Sequence, residues 1–222
     1  MNAENQFYPS FALTQIKAES PDDVPEISAD LIRVELPAAA ANSAAMKEKG
    51  FSFGDRTLGV AINLKKIEDD LDKLIRFEVR PAREEDMGAV LQIALSSFPT
   101  DRRFHVKPRP DRNVADEIIR DWVARLTHVY VCVHKDAVAG FLDLEPVGER
   151  DSFIHLAAVA EKYRAAGAAL SLYAYAVKAA REAGKARVLG RISSTNTAVM
   201  NLYARLGGVF SDPVDVFLKD EQ

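Results

Sequence analysis

The feature that most constrains the fold of this chain is a strand pattern that runs into a loop of small residues and then into a helix. The stretch is IHLAAVAEKYRAAGAAL, residues 154–170. Small side chains at 165–169 let a ligand approach the main chain closely. The first turn of the following helix offers unpaired N–H groups and a positive dipole end to an anion such as a pyrophosphate. The same residues also suit tight helix–sheet packing, so both interpretations stand at this point.

Strand and helix patterns alternate on both sides of this stretch. Residues 129–133 and 138–144 predict two strands around a turn at Lys135-Asp136. Residues 188–192 predict a further strand, and residues 196–206 predict a helix. Strands and helices mixed in this order predict an α/β domain with one dominant sheet.

The N-terminal part carries a weaker pattern. Residues 1–30 contain three prolines, and we expect this segment to be extended or loosely packed. Residues 31–36 alternate as in a strand, residues 38–49 suit a short helix, and residues 58–64 suit a second strand.

A weak internal similarity suggests a duplication. Residues 31–53 and 188–210 share a strand, a short helix and a glycine, with Gly50 matching Gly207 and Phe53 matching Phe210. The first 75 residues therefore predict an incomplete copy of the unit that residues 76–222 contain in full.

Charge and cysteine content exclude several classes of function. The formal net charge of −4 argues against nucleic-acid binding, which requires a clustered basic excess. Cys132, the one cysteine, lies in the apolar run VYVCV and is expected in the core, and four scattered histidines predict no metal site. The sequence lacks a secretion signal and an apolar stretch long enough to span a bilayer, so a cytoplasmic protein is expected.

A second motif follows the predicted strand at 188–192. The stretch at residues 194–208 is STNTAVMNLYARLGG. With the first motif it completes the order V-x-x-x-Y-R-x-x-G-x-A, helix, strand, T-N-x-A-x-x-x-L-Y-x-x-x-G. The segment FEVRPAREEDM at 77–87 extends the match over about two thirds of the chain. This layout resembles the GNAT-type N-acetyltransferases. The resemblance implies the GNAT fold, a mixed sheet flanked by helices, in residues 76–222, preceded by an incomplete GNAT-like unit in residues 1–75.

The resemblance also implies the co-substrate, acetyl-CoA, and the residues that hold it. In this family the strand that ends at Val159 separates from the strand that starts near Val188, and the pantetheine arm lies in the gap. Main-chain groups on the first strand would hold the arm and polarise the thioester, and amides of the loop would cradle the pyrophosphate. The implied cofactor-binding residues are Leu156, Ala157, Val159, Arg164, Ala165, Ala166, Gly167, Ala168, Ala169 and Asn196.

The family pattern places Tyr203 as the acid that protonates the departing CoA thiolate. Without the motif, a helical tyrosine beside Leu202 and Leu206 would be interpreted as a core residue. The base that takes the proton of the amine is open between Glu145 and His155, either of which could act through water.

The acceptor is the least determined part of the function. The chain resembles most the dTDP-fucosamine acetyltransferase family, whose acceptor is a dTDP-linked amino sugar, and the resemblance implies that Arg102, Arg103, His105 and Glu145 contact it. A basic loop of this kind suits a nucleotide diphosphate. Two alternatives remain, namely acetylation of another small amine or peptide N-terminus and a non-catalytic acetyl-CoA-binding module. The sequence leaves the oligomeric state open between a monomer and a homodimer.

Overall fold

The computed structural model of the protein describes residues 2–8, 11–67, 70–98 and 113–220. Ten strands and five α-helices lie in these residues, with short 3-10 helices between some of them. The strands are β1 (Asn2–Phe7), β2 (Ala12–Lys17), β3 (Leu31–Pro37), β4 (Ser52–Asn63), β5 (Glu78–Pro81), β6 (Val129–His134), β7 (Ala137–Val147), β8 (Asp151–Val159), β9 (Arg187–Ser193) and β10 (Gly208–Asp220). The helices are α1 (Asn42–Glu48), α2 (Met87–Ser97), α3 (Asn113–Ala124), α4 (Ala168–Glu182) and α5 (Thr197–Arg205).

The described strands form one mixed sheet in the order β1-β2-β3-β10-β4-β9-β8-β7-β6-β5. The pairs β2–β3 and β8–β9 are parallel, and the other pairs are antiparallel. The predicted α/β class with one dominant sheet is therefore confirmed. Strand β4 of the N-terminal segment lies between β9 and β10, so the sheet continues across residue 75. The division at that residue stays a prediction of the sequence.

Helices cover both faces of the C-terminal half of the sheet. Helix α4 is rich in alanine and buries Leu172 and Val177 against strand residues such as Leu142 and Val188. Helices α2 and α3 pack on a second cluster that contains Phe141, Leu156 and Ala158. Each face of the sheet thus has its own apolar core.

The first 30 residues are more ordered than their pattern predicts. Strands β1 and β2 form an antiparallel pair, and β2 then pairs with β3. Both strands are extended, as one of the two expectations had it, but Leu13 and Ile16 on β2 are buried, so the segment is not loosely packed. The pattern of a six-residue strand is too short to stand out, and its burial comes from contacts with the rest of the sheet. The predicted helix at 38–49 is also shorter, Asn42–Glu48.

An ion pair fastens the N-terminal segment to the last strand. Asp215 on β10 is fully buried, and Arg56 on β4, its partner in the strand register, donates to both of its carboxylate oxygens at 2.6 and 3.1 Å. Asn42 on α1 donates to the same carboxylate at 3.4 Å. A buried carboxylate requires such partners, so this pair fixes β4 beside β10.

Candidate active site

The central feature of the site is the separation of β8 from β9. The two strands pair in parallel over four residues only, from Asp151 opposite Arg187 to Ile154 opposite Gly190. Beyond this point β8 continues to Val159 and β9 continues to Ser193, but the two strands no longer pair with each other. Each still pairs with its other neighbour, β8 with β7 and β9 with β4. The main-chain groups on the facing edges of the two strands are thus available to a ligand that enters the gap.

A β-bulge marks the same position on the other edge of β8. Leu144 of β7 lies opposite Ile154, but Leu142 lies opposite Ala157, so β8 has one more residue than its partner in this interval. A bulge of this kind reorients the side chains that follow it. Ile154 packs in the cluster beneath α4, whereas Leu156 packs in the cluster beneath α2 and α3.

A cavity of about 630 Å³ lies where the strands separate, bordered by α4, α5 and the end of α2. Most of the predicted cofactor-binding residues line it, namely Ala157, Val159, Arg164, Ala165, Gly167, Ala169 and Asn196. The remaining three lie outside the lining. Leu156 is buried in the core, Ala168 is buried beneath the first turn of α4, and Ala166 is exposed.

Gly167 begins α4 in a left-handed conformation with φ of 88°, and a Cβ atom at this position would meet no other atom within 4 Å. The small residues after it leave the N–H groups of the first helical turn accessible. Arg164 donates through Nε to the carbonyl of Val159 at 3.2 Å, which holds the loop against the end of β8. An anionic group would find unpaired donors and a positive helix end at this place.

Asn196 caps the N-terminus of α5, because its Oδ1 accepts from the N–H of Val199 at 3.2 Å. The side chain lines the cavity and keeps its amide NH₂ group as a donor. Asn196 can therefore cap the helix and contact a ligand at the same time.

Tyr203 lies beneath β9 and is 1% exposed. Its ring packs edge-on against Tyr173 with centroids 5.1 Å apart. A Cβ atom on Gly190 would overlap the Tyr203 hydroxyl, so this hydroxyl lies directly under the point where β8 and β9 separate. Burial raises the pKa of the Tyr203 phenol well above its ordinary value. Tyr203 is outside the described lining of the cavity, but Tyr173 belongs to it.

Glu145 and His155 meet on the opposite side of β8. The Nε2 atom of His155 is 2.5 Å from a carboxylate oxygen of Glu145, although their alignment falls outside hydrogen-bond geometry. His155 directly follows Ile154, the last residue of β8 that pairs with β9. The structure thus brings the two base candidates together, next to the start of the gap.

These two residues line a second cavity, of about 540 Å³. Its walls include residues of α3 and, unforeseen from the sequence, residues of the N-terminal strands and of β10. The N-terminal and β10 residues in the lining are Gln6, Tyr8, Leu13, Gln15, Leu31, Arg33 and Leu218. Tyr8 contacts Asp121 of α3 at 3.5 Å, which closes the cavity between the first hairpin and the helix.

Asp143 is a further acidic residue of this cavity, and the sequence patterns did not lead to it. Its carboxylate is 2% exposed and accepts from the backbone N–H of His128 at 2.9 Å. Burial raises the pKa of Asp143, and the hydrogen bond from His128 opposes that rise. A charged residue inside an apolar strand run, DLEP after GFL, was the available signal.

The other predicted acceptor residues, Arg102, Arg103 and His105, lie outside the residues that the structure describes. Among the described residues, no group of three or more His, Cys, Asp or Glu side chains could hold a metal ion. No helix in the described ranges is long and apolar enough to cross a bilayer.

Comparison with known proteins gives one family match. A model described as the acetyltransferase (GNAT) family matches residues 89–208, which is more than half of the 222-residue chain. No curated protein matches the sequence significantly.

Solved structures with the same architecture support the match. A functionally unknown conserved protein from Staphylococcus epidermidis is 16% identical, with 86% of this chain and 72% of that chain covered and a TM-score of 0.65. A GCN5-related N-acetyltransferase from Sphaerobacter thermophilus is 16% identical over 86% of this chain and 60% of that chain, with a TM-score of 0.59. An acetyltransferase described as putative, of the GNAT family, from Novosphingobium aromaticivorans is 14% identical over 89% and 77%, with a TM-score of 0.57. At these identities the likeness shows the fold alone, and it confirms the predicted GNAT fold.

The first prediction concerns the loop before α4. Gly167→Val places a branched side chain in the open space beside the loop, and we expect acetyl-CoA affinity measured by calorimetry to fall at least a hundredfold. Gly184→Val is the matched control, because Gly184 also has a positive φ, 73°, and open space around it, but ends α4 away from the cavity. Equal affinity in both variants would remove this loop from the cofactor site.

The second prediction concerns the contact between Gly190 and Tyr203. Gly190→Ala should destabilise the protein by about 1–3 kcal/mol in urea unfolding, because the added methyl overlaps the hydroxyl of Tyr203. In a Tyr203→Phe background the penalty should shrink, since the nearest remaining ring atom, Cζ, is 3.2 Å from the position that the methyl carbon would take. A penalty of the same size in both backgrounds would contradict the position assigned to the hydroxyl.

Proposed function

Because the chain belongs to the GNAT family of acetyl-CoA-dependent N-acetyltransferases, we propose that it transfers an acetyl group to a primary amine at the gap between β8 and β9. The observation that carries this proposal is the arrangement around the position, after Ile154, where β8 stops pairing with β9. The hydroxyl of Tyr203 lies on one side of the sheet there, and the Glu145–His155 pair lies on the other. An acid and a base therefore flank one point, as acyl transfer to an amine requires.

The first cavity is the proposed cofactor site. Amides of the first turn of α4 would bind the pyrophosphate, and the free edge of β8 at Ala157 and Val159 would hold the pantetheine arm. Asn196 would donate its amide to the cofactor from the start of α5. Bound acetyl-CoA supplies the activated acyl group as a thioester.

The reaction needs the acceptor to arrive as a neutral amine. Glu145 and His155 would take its proton, directly or through water, on the side of the second cavity. As the C–N bond forms, main-chain N–H groups of β8 would stabilise the charge that develops on the acyl oxygen. The C–S bond then breaks, and Tyr203 would donate its proton to the leaving sulfur. The nitrogen would lose its second proton through water, and that proton would restore the Tyr203 phenol.

Burial of Tyr203 affects how this last step works. A phenol with a raised pKa is neutral at physiological pH, so it always carries the proton that it would donate. The edge-on contact with Tyr173, a lining residue of the cofactor cavity, connects Tyr203 to the site. Tyr173 thus holds the acid in position.

The acceptor that we propose is a nucleotide-linked amino sugar, and the support comes from the sequence. Arg102, Arg103 and His105 form a basic segment that suits a diphosphate. A small free amine and a peptide N-terminus are the competing acceptors. The proposed location of the protein is the cytoplasm for any of these acceptors.

A CoA-release assay against dTDP-linked amino sugars, free amino sugars, other small amines and a peptide N-terminus tests the function. We expect release that depends on an amine, with preference for a nucleotide-linked one. If the protein binds acetyl-CoA but releases no CoA with any of these amines, the result would instead support a non-catalytic module. Equal rates with linked and free sugars would refute the nucleotide-sugar acceptor alone.

The third prediction concerns the proton donor. Tyr203→Phe keeps the ring packing and should lower kcat about a hundredfold with nearly unchanged acetyl-CoA affinity. Tyr175→Phe on α4 is the control, because Tyr175 is half-buried, contacts Tyr130 and is outside the cavity lining. Wild-type turnover in Tyr203→Phe would return this residue to a packing role.

A further inference from the structure

The N-terminal strands contribute a cationic side chain to the acceptor cavity. Arg33 of β3 lines it, next to its register partners Gln15 on β2 and Leu218 on β10. The sequence left open whether the N-terminal segment contacts the substrate. The structure places this strand segment across the same cavity as Glu145 and His155.

The hydrogen-bonding capacity of Arg33 is only partly used. Its Nη2 donates to Glu35 at 2.8 Å, whereas its Nε is buried and has no hydrogen-bond partner. A guanidinium carries five N–H donors in a planar fork that matches a carboxylate or a phosphate. A buried N–H donor of a charged group that has no partner costs free energy. Binding of an anionic ligand group to the guanidinium, after a small shift of the side chain, would therefore be favoured.

The other arginine in the described lining is engaged. Arg125 forms an ion pair with Asp121 and interacts with Tyr8, so it helps to tie the first hairpin to α3. Arg33 also has a carboxylate partner, Glu35, but of the two arginines it is the one whose buried Nε has no hydrogen-bond partner, so it is the better suited to receive a ligand anion.

The β7 and β8 residues of the lining have the reverse chemistry. Asp143, Glu145 and His155 line the same cavity, and carboxylates attract an ammonium group. The reacting amine has to be beside Glu145 and His155, because this pair adjoins the gap between β8 and β9. An acceptor held there by its amine would have its other groups in the cavity that Arg33 also lines.

We propose that Arg33 is a specificity-determining residue that binds an anionic group, a carboxylate or a phosphate, on the amine acceptor. The acceptor is thus an amine that also carries an acid. This inference rests on the proposed function, because it assigns the second cavity to the acceptor. It adds the N-terminal strands to the substrate site.

Steady-state kinetics with matched amines test the proposal. One arm compares amino acids with their amides, and the other compares phosphoethanolamine with ethanolamine, so that the two anions are distinguished. We expect the wild type to prefer the anionic member of at least one pair by tenfold or more in kcat/KM. Arg33→Gln should raise KM for that member by about 10–100-fold with little change in kcat, in keeping with the loss of one charge-assisted contact. The neutral member should respond little, and Arg33→Lys should restore part of the preference.

Lys17→Gln is the matched control. Lys17 on β2 lies 4.0 Å from the same Glu35, is largely exposed and is outside the cavity lining, so the variant makes the same charge change beside the site. It should keep the wild-type preference. The proposal is overturned if the wild type does not discriminate within either pair, or if Arg33→Gln keeps the wild-type preference. In either case, CoA release that depends on an amine leaves the proposed function intact.

Calorimetry separates the two failures further. If no amine releases CoA but an anionic amine binds to the wild type and not to Arg33→Gln, the subsite stands and the proposed function fails. If anionic amines neither bind nor react, the subsite is refuted.

Discussion

The site depends on a parallel strand pair that is left incomplete. β8 and β9 share four register positions and then separate, although both strands continue. If the two strands paired along their whole length, their main-chain N–H and C=O groups would be hydrogen-bonded to each other. Because the pairing stops, those groups are available to an extended ligand. The one-residue bulge on β8 lies where the separation begins. It turns Leu156 into the α2–α3 core and leaves His155 beside Glu145.

The continuity of the sheet explains how two ends of the chain build one site. Strand β4 inserts between β9 and β10, and the pair of Arg56 with the buried Asp215 holds it there. β10 in turn carries β3 and the first hairpin. The hairpin reaches α3 through Tyr8, so residues near the N-terminus line a cavity with residues of β7 and β8.

Much of the fold could be predicted from the sequence, because the responsible patterns are local. Hydrophobic alternation located the strands from residue 129 onward, and Gly167 could be assigned to a loop because small residues cluster there between a strand pattern and a helix pattern. The two motifs on those elements, with the order of the elements, indicated the family. The strand order was not accessible, since residues 31–64 carry the strand–helix–glycine pattern but nothing that specifies which neighbours its strands take.

The site was predictable in part for the same reason. The loop residues 164–169 were found through small side chains at a helix start, a local property. The burial of Tyr203 beneath Gly190 and the position of Arg33 are consequences of packing between distant segments. Periodicity identifies a buried face, but it does not identify the residue on which that face packs.

Hydrogen exchange on the full-length protein, with and without acetyl-CoA, tests the central claim most directly. The claim is that the cofactor lies against the start of α4 and along the part of β8 that no longer pairs with β9. It predicts slower exchange for amides in residues 156–159 and 167–170 on binding, with little change in residues 151–154, which already pair with β9. Binding that leaves 156–159 and 167–170 unprotected, or that protects only residues outside the gap, would contradict it.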